Sequence, residues 1–150
     1  MRRAIRVRAA GSWPRAAEVT SVTLVFDDRH RRRMRLLDDD GRPFLLDLDT
    51  PVRLADGDGL ELEEGGLIRV AAAPEPVADA AAPDPVTALR LAWHIGNRHA
   101  PVQILGPLTL RIRADPVLIT MIERLGARVT RRRAPFAPEP GAYPAPDADA

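Results

Sequence analysis

The sequence contains no cysteine and no lysine. Without cysteine there can be no disulfide, no thiolate metal site and no thiol nucleophile. A transition metal could then be held only by imidazole, carboxylate or backbone oxygen. Without lysine, all 22 basic residues are arginine, and 15 prolines and abundant alanine accompany them. That combination reads as a compositional bias, so an arginine run says less about function than it otherwise would. Serine occurs only at positions 12 and 21. Neither lies in a Gly-x-Ser-x-Gly elbow, and the chain has no His-Glu-x-x-His pair and no glycine-rich loop ending in lysine. Hydrolytic chemistry by serine, cysteine or zinc has no residues to work with. Aromatics make up 4% of the chain, which leaves Leu, Val and Ala to build the core. No run approaches the roughly 18 apolar residues that cross a bilayer. The basic N-terminus is not followed by an apolar stretch either, so a soluble, cytoplasmic protein is expected.

What is present divides the chain in two. The 45% hydrophobic content is in the globular range, and 150 residues allow one domain or two small ones. In the first half, residues 21–26, 34–37, 44–48, 52–54, 60–62 and 67–70 read as short strands separated by Gly/Asp turns such as Asp38-Asp39-Asp40-Gly41 and Asp56-Gly57-Asp58-Gly59. This predicts a small all-β unit over residues 1–73. Residues 71–83 are Ala/Pro-rich and read as a linker containing one poor strand around Val77. Beyond it the period changes. Asp84-Pro85 and Asp115-Pro116 each pair an N-cap with a proline at the first helical position, and Gly96-Asn97 and Gly126 read as helix stops. Val86, Leu89 and Trp93, with Ala88, Leu91 and Ala92, suggest one wide apolar face on the first helix. With strands at 102–105, 108–113 and 127–130 the order is βαββαβ, the ferredoxin-like arrangement, over residues 74–134. The fold class is therefore α+β. Residues 135–150 are Pro-rich and are expected to form a disordered tail.

The three histidines are His30, His94 and His99. His94 and His99 are five apart, which on a continuous helix separates them by roughly 140°, so they do not share a face. Taken alone, each histidine is better explained by a helix end or a solvated strand edge than by a ligand role.

The stretch Trp93-His94-Ile95-Gly96-Asn97-Arg98-His99 resembles the His-Leu-Gly-Asn-Arg-His signature of the UreE family of urease accessory nickel chaperones. Residues 24–41, residues 51–65 and residues 134–143, Ala-Pro-Phe-Ala-Pro-Glu-Pro-Gly-Ala-Tyr, resemble that family's segments in the same order. The resemblance implies an N-terminal β domain like a chaperone peptide-binding module and a ferredoxin-like domain that forms a homodimer. It implies that His99 meets its symmetry mate to bind Ni²⁺, with Zn²⁺ or Cu²⁺ able to compete. It also implies delivery to apo-urease together with a partner GTPase, and no catalytic role. His94 is at most auxiliary in that picture. The family often has a His-Asp-His element where this chain has Arg113-Ala114-Asp115, and Asp115 reads first as a helix cap. Many members end in a histidine-rich tail; here Asp147 and Asp149 are the only possible substitutes. Two other readings compete. One is a protein-interaction scaffold for urease assembly in which metal binding is incidental. The other is nucleic-acid binding through Arg31-Arg32-Arg33 and Arg131-Arg132-Arg133. The missing stacking aromatics and a net charge of only +1 argue against that second one.

Overall fold

The computed structural model describes residues 1–140, which form two compact units dividing after Ala73. In the first, six strands make one sheet: β1 (Arg2–Arg8), β2 (Glu18–Leu24), β3 (His30–Leu37), β4 (Pro43–Arg53), β5 (Gly59–Leu62) and β6 (Leu67–Ala72), in the order β2-β6-β5-β1-β4-β3. The sheet curls until its ends meet. The Asp39 amide donates to the Ser21 carbonyl at 2.8 Å, and the Asp39 carboxylate accepts from the hydroxyls of Ser21 and Thr23. The acidic turn after β3 thus covers the open edge of β2, a common protection against edge-to-edge pairing. Inside lie Ala4, Val22, Phe44, Leu46, Leu60, Ile68 and Val70, all buried.

The sequence pattern does not reveal β1, although it is an inner strand that pairs with both β4 and β5. Four of its seven residues are arginine, and that hides its alternation. Cross-strand carboxylates offset the charge: Arg2 pairs with Asp38, Arg3 with Asp47 and Glu63, and Arg6 and Arg8 with Glu61. Asp38 is nearly inaccessible. Burial alone would raise its pKa, but the Arg2 guanidinium and the amides of Arg42 and Asp40 outweigh it and hold the carboxyl below its ordinary value. β4 also differs from expectation. It runs through Asp49-Thr50-Pro51, where a strand end is predicted. Between the pairs Arg31↔Val52 and Arg33↔Asp47 the register jumps, so Pro51, with no N–H to donate, sits in a bulge rather than in a regular ladder.

The second unit has the strands β7 (Glu75–Ala81), β8 (Gln103–Gly106), β9 (Thr109–Arg113) and β10 (Arg128–Ala134), with helices α1 (Pro85–Asn97) and α2 (Pro116–Arg124). The fully antiparallel order β10-β7-β9-β8 is that of a ferredoxin-like fold. The supposed linker around Val77 is in fact the inner strand β7. Its small side chains are a structural asset: Ala78, Ala80 and Ala82 are buried and let Leu91 and Ile95 of α1 and Leu118, Ile119 and Ile122 of α2 pack close to the sheet. The caps form as the sequence indicates, with Asp84 accepting from the Thr87 amide and Asp115 from the Val117 amide.

Two further expectations need correction. The apolar residues of α1 form two faces, not one. Ala88, Leu91, Ala92 and Ile95 face the core, whereas Val86, Leu89 and Trp93 are exposed, Trp93 by 62%. Both sets have helical spacing, so periodicity alone cannot say which is inside. Disorder does not begin at Pro135 either. The Pro135 carbonyl accepts from Arg111, the Ala137 amide donates to Gln103 and the Glu139 amide to the Val102 carbonyl, while Phe136 is fully buried. Arg111 and Gln103 are register partners on the sheet face opposite Leu110 and Ile112. Residues 135–139 therefore strap the face that the helices leave open. The rest of the expected tail, 141–150, lies outside the described residues.

Beneath the strap, Asp79 accepts from Arg111 at 2.7 and 3.0 Å and from Arg132 at 3.3 Å. The Arg111 contact leads in lowering the Asp79 pKa. A lowered folded-state pKa means stability that is complete above the unfolded aspartate value of about 3.9 and is lost as pH falls through the folded value. Urea titrations from pH 7 to pH 2 should therefore show an acid limb that shrinks in Asp79→Asn. That variant should also lose roughly 3 kcal/mol at neutral pH. Phe136→Ala should cost about 3–5 kcal/mol; a loss below about 1 kcal/mol would mean that the strap is ornamental.

Candidate metal centre

His99 sits at the end of α1, and its backbone is unusual. It is the one non-glycine residue with positive φ (+56°) among the described residues. The reason lies in how α1 ends. The helix ends at Asn97, as Gly96-Asn97 indicates, but neither of those residues takes the left-handed conformation. The His99 amide then donates to the Gly96 carbonyl at 2.9 Å, and the Ala100 amide to the Ile95 carbonyl at 3.2 Å. These two bonds are the reciprocal pair of a Schellman motif, in which the residue after the C-cap adopts the left-handed conformation and is usually glycine. Pro101 follows and prevents the helix from resuming. Histidine tolerates this conformation better than most residues but still carries strain on the order of 1 kcal/mol.

The result is an exposed histidine just past the C-terminal end of a 13-residue helix. That end carries the negative pole of the helix dipole, which favours a cation nearby. The strap brings the chain to the same neighbourhood, since the Glu139 amide is bonded to Val102, three residues past His99.

The other candidates lie elsewhere. His94 is half-buried in the last full turn of α1, edge-on to Trp93 with ring centroids 5.0 Å apart, and it lines a groove against α2. Asp115 uses its carboxylate to cap α2. His30 opens β3 in the first unit. Among the described residues no group of three or more His, Asp or Glu side chains is placed to hold a metal. One chain's described residues thus offer His99 without a ligand cluster around it. Asp147 and Asp149 lie outside those residues.

A model of the UreE urease accessory protein N-terminal domain matches residues 2–73, and one of its C-terminal domain matches residues 75–150. The chain belongs to the UreE urease accessory protein family. The urease accessory protein UreE of Bradyrhizobium sp. (strain ORS 278) is 51% identical over 146 residues, covering 97% of this chain and 69% of the relative. That of Beijerinckia indica is 46% identical over 144 residues (95% and 82%), and that of Rhodobacter capsulatus 47% over 143 residues (95% and 87%). These relatives are named as urease accessory proteins, and membership of their family supports a role for this chain in urease maturation. No described helix is long and apolar enough to cross a membrane.

Sequence reasoning missed the left-handed cap because a glycine and an asparagine stand three and two residues before it, where a stop is usually read. Pro101 was the available signal. The strain makes a prediction about stability without metal. His99→Gly should be more stable than His99→Ala by roughly 1 kcal/mol, and no less stable than the parent, in urea denaturation. If the parent is the most stable of the three, the imidazole has a packing role.

Proposed function

We propose that this UreE protein is a cytoplasmic carrier of Ni²⁺ for urease maturation, with the cargo held at the seam of a homodimer by His99 from each chain. The observation that carries this reading is the left-handed, exposed His99 at the end of α1. A glycine would serve the turn better, so histidine there is best explained by its side chain. One imidazole per chain is a poor site, but a two-fold axis doubles the ligands without further sequence. The exposed stripe of Val86, Leu89 and Trp93 on the same helix supplies apolar surface for such self-association. Few protein ligands also suit a carrier, because open coordination positions let the metal be passed on. Imidazole does not distinguish nickel from Zn²⁺ or Cu²⁺; the family relationship favours nickel. The same relationship supports hand-over to apo-urease alongside a partner GTPase, with no catalytic role for this chain.

Isothermal titration of the full chain should show about one Ni²⁺ per two chains. Binding should disappear in both His99→Ala and His99→Gly and weaken as pH falls below about 6.5, where imidazole takes up protons. Unchanged binding in either variant, or tight binding of several ions per pair of chains, would contradict the proposal. The scaffold reading makes a different prediction: His99→Ala would then restore urease activity at low nickel as well as the parent does.

A further inference from the structure

The α1–α2 side of the ferredoxin-like unit carries a feature that the metal reading leaves unused. A groove of about 600 Å³ runs between the helices, lined by His94 and Arg98 of the α1 end and by Val117, Met121, Arg124 and Leu125 along α2. Leu118, Ile119 and Ile122 of α2 are buried in the core, with Met121 and Leu125 partly buried against it; Val117, Met121 and Leu125 recur every four residues along the groove. Val117 is 65% exposed despite being fully apolar. From Val117 to Leu125 the floor extends about 12 Å, or two helical turns.

The charges around this floor have one sign. Arg98 and Arg124 are both exposed, and among the described residues no carboxylate lines the groove and neither guanidinium has an ion pair or side-chain hydrogen bond. An apolar floor two turns long between unneutralised cations matches an amphipathic helix that presents an apolar stripe flanked by carboxylates. We propose that this groove is a docking site for an acidic amphipathic helix of a partner protein, separate from the His99 centre.

The test uses a displayed library of helical peptides with varied charged and apolar positions. It is selected on the full chain and counter-selected on Val117→Ser/Met121→Ser. Recovered peptides should carry net negative charge and apolar residues spaced i, i+3 or i+4, i+7. Their affinity should fall at least tenfold in Arg98→Glu/Arg124→Glu, fall with added salt, and stay unchanged in His99→Ala. Far-ultraviolet circular dichroism of each variant verifies the fold; Val117, Arg98 and Arg124 are exposed, and Met121 packs only partly against the core. An empty counter-selected pool, or peptides with net positive charge, would overturn the proposal. So would a change in the sedimentation coefficient of Met121→Glu from dimer to monomer, because the groove would then belong to self-association. Since His99→Ala is an independent arm, failure here leaves the metal reading untouched, and the reverse also holds.

Discussion

The reversal at the end of α1 rests on two short-range hydrogen bonds, from the His99 and Ala100 amides to the carbonyls of Gly96 and Ile95. They turn the chain out of the helix and into β8, and with Pro101 they fix where the sheet's edge strand begins. They also force one residue into a left-handed backbone conformation, and that residue is a histidine. Fold and candidate chemistry are therefore joined at one peptide unit. The same geometry that closes the helix places a histidine just past its negative pole, where a cation is favoured. A glycine would relieve the turn and remove the proposed ligand, so on that proposal strain and function are set against each other there.

The rest of the second unit supports that arrangement. The alanines of β7 bring α1 and α2 close to the sheet, and Phe136 with the strap covers the opposite face. Asp79, held ionised by Arg111 and then Arg132, occupies that face and joins three strands. The first unit solves a different problem with the same chemistry. Its inner strand is mostly arginine, and carboxylates on neighbouring strands and turns make that strand compatible with a sheet.

Much of this is legible in the residues. The Asp-Pro caps, the Gly/Asp turns and the βαββαβ order can be read directly, because they depend on local chemistry. What escapes a reader of the sequence depends on tertiary partners. β1 shows only as a basic stretch without a strand period until Asp38, Asp47 and Glu61 are placed beside it. β7 looks like a linker because alanine has weak strand preference, yet small size is what the helices above it need. Val86, Leu89 and Trp93 look like core because their spacing is helical, and only packing reveals a second face. At the candidate site the identity of His99 came from the segment resemblance, while the reason for its prominence is a backbone angle that no pattern of residues displays.

The most direct test of the central claim is anomalous diffraction at the nickel absorption edge from crystals grown with Ni²⁺. The account predicts one strong peak on a molecular two-fold axis, within bonding distance of an imidazole nitrogen of His99 from each of two chains. A peak bound by His94 or His30 instead, or a nickel ion held within one chain without His99, would contradict it.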